Sequence, residues 1–318
     1  MPLPAALSGR LRIPAVASPM FLTSGPDLVV EVCRAGVLGT FPALNARTSE
    51  GFSQWLDDID ARLADTPGAA PYGVNLIVHK SNPRLQADLA ICARHKVPVV
   101  ITSLGAVKDL VDVVHGYGGL VFHDVISRRH AEKAAEAGVD GIIAVSAGAG
   151  GHAGTISPFA LVSEIRRIFD GTILMAGAIN TGAQILAARA AGADLAYMGT
   201  RFIATREAMV SEGFKDMILA SSAADIFYPS AISGVNANFL RPSIVAAGLD
   251  PDNLKSHGAL DMASEAKAWK TIWSAGQGVG GIDAVMPAAE LCDQLAREYR
   301  AAVEAAAADP FVARMAAG

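Results

Sequence analysis

Short apolar runs recur along the chain, and segments with helical spacing of apolar, alanine and charged residues lie between them. The runs are IPAVASPM (13–20), VLGTFPAL (37–44), YGVNLIV (72–78), VPVVITS (97–103), GLVFHDV (119–125), GIIAVSA (141–147), TILMAGA (172–178) and LAYMGTRF (195–202). Most are apolar throughout rather than alternating. That is the pattern of parallel strands covered on both faces. Between them, ISRRHAEKAAEAG ends at Gly138 and TGAQILAARAAG ends at Gly192, each glycine suiting a helix stop. SPFALVSEIRRIF begins with Ser157 as an N-cap and Pro158 in the first turn. The phrases EAGVDGIIAV and AAGADLAYMG repeat one helix-to-strand turn. Eight strand–helix units predict an α/β fold of the (β/α)8 TIM-barrel type. An open doubly wound sheet is the alternative. Residues 207–270 break the rhythm, with helical pieces, the loop GLDPDNLKSHG and no clear strand. They predict a mainly helical inserted subdomain or lid after the eighth strand. The barrel then comprises 1–206 and 271–318.

Composition narrows this picture. The 318 residues suffice for one such barrel with an insertion. Hydrophobic residues make up 52% and charged residues 18%, which excludes a disordered chain. The net charge is −5 with no basic run, so a nucleic-acid partner is not expected. No apolar run approaches the roughly 18 residues of a membrane span. The opening MPLPAALSGRLRIPAV is too short in apolar residues for a signal peptide. Cys33, Cys92 and Cys292 are too few and too widely spaced for a disulfide framework or a zinc site. These features predict a cytoplasmic protein, and a homo-oligomer stays open because the insertion could cover the site or pair with another subunit.

Candidate chemistry gathers at the strand ends. AVSAGAGGHAGTISP carries His152 among glycines after the sixth strand. Its Gly148-x-Gly150-x-x-Ala153 spacing imitates a dinucleotide fingerprint. That fold needs an acidic residue closing the next strand, and AGAINTG has none. In a barrel, the loops after strands 7 and 8 commonly hold phosphate, through glycines and helix N-termini. Gly177-Ala178-Ile179-Asn180-Thr181-Gly182 and Met198-Gly199-Thr200 stand at those places. His152 lies on the same face, where an imidazole can donate to an oxyanion or take a proton near neutral pH. His79 and His123 also end strands. Asn75, Thr102, Ser103 and Gln277 are neutral hydrogen-bonding groups that suit a heterocycle with carbonyl and N–H edges.

ASPM in strand 1, GVNL in strand 3, AGGHAG after strand 6, MGTRFIATRE at strand 8 and IWSAGQGVGGI resemble the nitronate monooxygenase family. The family is also called 2-nitropropane dioxygenase-like, and consists of FMN-dependent TIM-barrel flavoproteins. The matches run in order over nearly the whole chain. They are less specific to the reaction, because FMN-dependent enoyl-acyl-carrier-protein reductases and NAD(P)H:quinone reductases look similar. The resemblance implies noncovalent FMN, with Pro19 and Met20 by the ring through their backbone. It implies Asn75, Ser103 and Gln277 near the ring or ribityl chain. Gly151, Gly177, Ala178, Gly199 and Thr200 would hold the phosphate and its surroundings, and His152 would be the active-site histidine, either binding the nitro group or taking the α-proton. The implied reaction is oxidation of an alkyl nitronate or nitroalkane by O2 to a carbonyl compound and nitrite. Three departures stand out: Ala178 where a second glycine is usual, Asp124 where relatives carry a cationic flavin contact, and Val145 with Gly148 where relatives carry polar groups.

Overall fold

The structure is a computed structural model that describes residues 3–105, 107–254 and 269–311. Eight parallel strands close a barrel: β1 (Ala15–Ala17), β2 (Leu38–Pro42), β3 (Tyr72–Ile77), β4 (Val99–Ser103), β5 (Leu120–Val125), β6 (Gly141–Val145), β8 (Thr172–Ala176) and β9 (Leu195–Met198). The short strand β7 (Gly151–His152) lies outside it. All eight expected strands are present. The first is shorter than the apolar run because Pro14 and Pro19 flank it, and proline cannot donate to a ladder. The last ends at Met198, and Thr200–Ile203 turns helical, so Phe202 is buried by a helix rather than by a strand.

The parallel register puts Ile101 beside Phe122, and Ile143 beside Leu174 and then Leu195. These side chains, with Val16 and Leu38, fill the barrel interior, and Leu7 packs against the same cluster. A larger apolar layer lies between the strands and the surrounding helices. Those helices include α1 (Pro26–Arg34), α2 (Ser49–Ala64), α3 (Leu85–His95), α4 (Lys108–Gly116), α5 (Arg128–Glu136), α6 (Pro158–Arg166) and α7 (Gly182–Ala190). Ser157 does precede α6, with Pro158 in the first turn, but its hydroxyl makes no capping bond. Thr181 caps α7 in a reciprocal box with Gln184. The repeated turn phrase has a structural reason. Asp140 Oδ2 accepts from Val121 N at 2.7 Å, and Asp194 Oδ2 accepts from Ile173 N at 2.8 Å. In each case the carboxylate of the aspartate entering one strand accepts from the N–H of the second residue of its neighbour.

After β9 come α8 (Thr200–Ile203), α9 (Glu212–Ala220), β10 (Ile226–Phe227), β11 (Ala237–Leu240) and α10 (Arg241–Ala246). The described part of 207–270 holds more helix than strand, but it does contain strands where the sequence shows none clearly. β10, β11 and β7 form a small antiparallel sheet, in which Ala237 pairs with His152. Residues 255–268, which include the second half of the GLDPDNLKSHG loop, lie outside the described residues. A parallel bridge between Thr205 and Met286 returns the chain to the barrel, and the helix Ala288–Ala307 packs on α7 and α1. Among the described residues no helix is long and apolar enough to cross a membrane.

Candidate active site

The carboxyl ends of the strands open into a cavity of about 1540 Å³. Strand parity decides what faces it. Asn75 pairs with Ile101, and Ile77 pairs with Ser103, so Asn75 and Ser103 share the inward face with the apolar filling below. Thr102 pairs with His123, which brings Asp124 level with Ser103 on that inward face. Tyr197, one strand beyond Ala176, completes a polar upper layer. Asn75 Nδ2 donates to Ser103 Oγ at 2.8 Å and to Ile101 O at 3.3 Å. Ser103 Oγ donates in turn to Asp124 Oδ2 at 2.5 Å. Burial raises the Asp124 carboxyl above its ordinary value, against the opposing pull of His123, the Ser103 bond, His152 and His130. Burial also lifts the Tyr197 phenol, and the nearby Asp124 charge adds to it.

The other half of the mouth is built from main chain. Gly177 has φ +136° and Ala178 φ +54°, so the loop before α7 runs through the left-handed region. Ala178 therefore holds a conformation that glycine would adopt without strain. A Cβ at Gly199 would lie 2.8 Å from Ser18 Oγ, so that hydroxyl would have to turn away to admit one. Thr200 Oγ1 accepts from Gly276 N at 2.8 Å, tying the end of β9 to the 274–278 segment.

His152 is fixed through its neighbours. Gly151 N donates to Ser274 Oγ at 2.7 Å, and Ser274 Oγ donates to Asn238 O at 2.7 Å. Asn238 Nδ2 donates to Ala149 O at 2.6 Å, and the Tyr228 hydroxyl donates to Ala153 O. The His152 ring meets the edge of Trp269 at 5.8 Å, and Trp269 also meets Phe239 and Phe21. The glycine loop is thus a strand pair with an aromatic wall rather than a loose turn.

The residues expected at the site do not all arrive there. Pro19, Met20, Asn75, Ser103, Gly151, His152, Gly177, Ala178, Gly199 and Thr200 line the cavity. Gln277 is exposed outside the lining, and its N–H is bound to Gly148 O at 2.9 Å. The backbone of Met20 is already committed: its N–H donates to Ser24 Oγ, and its carbonyl accepts from Asn45 Nδ2 and Thr23 N. His79 lies outside the lining and shares a 2.7 Å hydrogen bond with Ser81. His123 shares one of the same length with Thr102, and burial depresses its pKa. Sequence reasoning noticed Asp124 only as a departure and missed Trp269, which follows a stretch without a readable pattern.

Polar side chains on one side, a glycine-rich cradle at a helix start on the other, and ample volume between them fit a planar heterocycle with a phosphate tail. Catalytic barrels of this design are a broad class, and comparison with known proteins narrows it. The family model described as nitronate monooxygenase matches residues 84–298. A nitronate monooxygenase of Paraburkholderia phytofirmans is 30% identical, covering 92% of this chain and 93% of that protein. The nitroalkane oxidase structure from Streptomyces ansochromogenes superposes with a TM-score of 0.81 at 25% identity, over 95% of this chain and 99% of that one. FabK from Thermotoga maritima follows with a TM-score of 0.77 at 25% identity, over 94% and 96%. The chain belongs to the nitronate monooxygenase family, whose members are flavin-dependent oxidoreductases.

Proposed function

We propose that this protein binds FMN at the barrel mouth and oxidises alkyl nitronates with O2. Family membership supports the reaction class. The observation that carries the finer reading is His152, held on β7 against Trp269 in the same cavity that Asn75 and Ser103 line. When bound, FMN supplies the redox chemistry: electrons leave the nitronate carbon and reach O2, and the products are a carbonyl compound and nitrite.

The chain's own residues bind and orient. Gly177, Ala178, Gly199 and Thr200 hold the phosphate end through backbone N–H groups, with the α7 N-terminus favouring its charge. Pro19, the Met20 side chain, Ser103 and the Asn75 amide oxygen face the ring, because the Asn75 NH2 already serves β4. Gly151 leaves clearance beside Trp269: a Cβ there would come within 3.3 Å of the indole. Gln277 acts from outside, bracing Gly148 through its backbone. His152 donates a hydrogen bond to the nitronate oxygens, and Trp269, Phe21 and Phe239 shield that contact from water. His152→Asn should retain FMN and lower kcat with propyl-2-nitronate by about 10²-fold, the usual scale for one such donor. Unchanged kinetics would remove His152 from the chemistry.

A second reading is favoured by volume. Ligand pockets commonly span about 300 to 1,000 Å³, and this cavity exceeds that range. A reductase that takes NAD(P)H and passes hydride to a quinone or enoyl thioester would use the extra room. Anaerobic mixing separates the two: bleaching by NADH or NADPH favours the reductase, and bleaching by propyl-2-nitronate alone favours the oxidase.

A further inference from the structure

We propose that Asp124 is a second catalytic residue of this site, the base that takes the α-proton from neutral nitroalkanes while His152 holds the nitro oxygens. The proposal rests on the nitronate-oxidising reading above and assigns the proton transfer that a nitroalkane substrate requires before it is oxidised there.

The placement is specific. Asp124 ends β5 on the inward face and lines the cavity. Ser103 fixes Oδ2 from the neighbouring strand, and Asn75 fixes Ser103 from the strand beyond. Among the described residues no donor meets Oδ1. One carboxylate oxygen is thus held in place and the other is free for substrate, which is the division of labour a general base needs. Asn75 and Ser103 are positioning residues in this arrangement.

The surroundings tune the base. Withdrawal from water raises the proton affinity of Asp124, so it is better matched to a weak carbon acid than an ordinary carboxylate. The titratable groups around it are His123 on its own strand, His130 and Lys133 from α5, His152 on β7 and Tyr197 on β9. Protonated His123, His152 or His130 favours the charged carboxylate, and the bond from Ser103 does the same.

The step balances without a further reagent. The α-C–H bond of the nitroalkane breaks and its proton bonds to Asp124 Oδ1. The electron pair left on carbon forms the C=N double bond, and the negative charge moves to the nitro oxygens facing His152. The product is the nitronate, already in the site where it is oxidised.

The test compares nitroethane with preformed ethylnitronate on the FMN-loaded enzyme. Asp124→Asn should lower kcat/KM for nitroethane by about 10²- to 10⁴-fold, and for ethylnitronate by less than about tenfold. Asp124→Glu should restore part of the nitroethane rate. The wild-type profile for nitroethane should rise with pH through a limb above the ordinary carboxylate range, and the ethylnitronate profile should lack that limb. Ser103→Ala keeps the carboxylate and removes a bond that favours its charged form, so it should move the limb to higher pH. This variant also serves if Asp124→Asn does not fold. Equal losses on both substrates, no loss on either, or an unmoved limb in Ser103→Ala would overturn the role of Asp124. A wild type that oxidises ethylnitronate but not nitroethane would overturn it too. Failure of the wild type on both substrates would instead remove the underlying reading.

Discussion

The two halves of the barrel mouth are made differently. The side formed by β3, β4 and β5 presents side chains: Asn75, Ser103 and Asp124 stand on adjacent strands and bond in sequence. The side formed by β6, β8 and β9 presents main chain, with Gly148, Gly177 and Gly199 at the strand ends and His152 carried above on its own strand pair. A side chain on a strand has a fixed direction, so the first half can orient a small group and tune its acidity. A glycine loop at a helix start has no side chain to aim, but it allows close approach and offers N–H groups to an anion. The contrast suggests a division between chemistry at the strand ends and anchoring at the loops, with His152 as the exception on the loop side.

Substitutions can break this contrast. After Asp124→Asn on nitroethane, the largest effect expected is on turnover, from His152→Asn, at about 10²-fold in kcat with the flavin spectrum retained. A loss of flavin together with activity would make His152 part of the anchoring half. Next comes Gly276→Ala. Its Cβ would lie 2.5 Å from Gly148 O and 2.9 Å from Gly150 N, both backbone atoms that cannot swing away. Thermal unfolding should show a loss of about 1–3 kcal/mol, the scale of overpacking. A silent substitution would mean the glycine loop is looser than its bonds imply.

The acid side of the stability profile gives a smaller effect. Burial holds the folded-state pKa of His123 below the ordinary 6.5. The unfolded chain therefore takes up the proton first, and stability falls as pH drops below about 6.5 through the depressed value. His123→Asn should flatten that fall in Tm measured against pH, and an unchanged slope would assign it to other groups. The smallest effect is a gain. Ala178→Gly should relieve the left-handed strain of roughly 1–2 kcal/mol, less the entropy of a glycine at roughly 0.5–1 kcal/mol. A Tm that falls instead would show that Ala178 contributes through its methyl group.

The sequence made the barrel readable because each parallel strand is covered on both faces and is written as an uninterrupted apolar run. It also exposed the glycine loops and His152, because they follow the strand ends where a barrel of this kind assembles its site. It could not reveal that Gly151 and His152 pair with Ala237 and Asn238, because Gly-His carries no strand pattern and the partner lies far along the chain. Gln277 stands outside the lining for a related reason. The IWSAGQGVGGI segment does border the cavity through Gly276 and Gly278, but the direction of the glutamine depends on a 3-10 turn, Gln277–Gly281, that composition does not announce. Asp124 was visible as a residue out of place. Its place beside Ser103 and Asn75 needed the register of three strands.

The central claim is that the mouth, with its polar strand ends and glycine loops, is a flavin site for nitronate oxidation. Oxygen uptake by the FMN-incubated protein on addition of propyl-2-nitronate tests it most directly. The account predicts rapid uptake that depends on FMN and is accompanied by nitrite. No uptake above the protein-free rate, from protein that has been incubated with FMN, would contradict it.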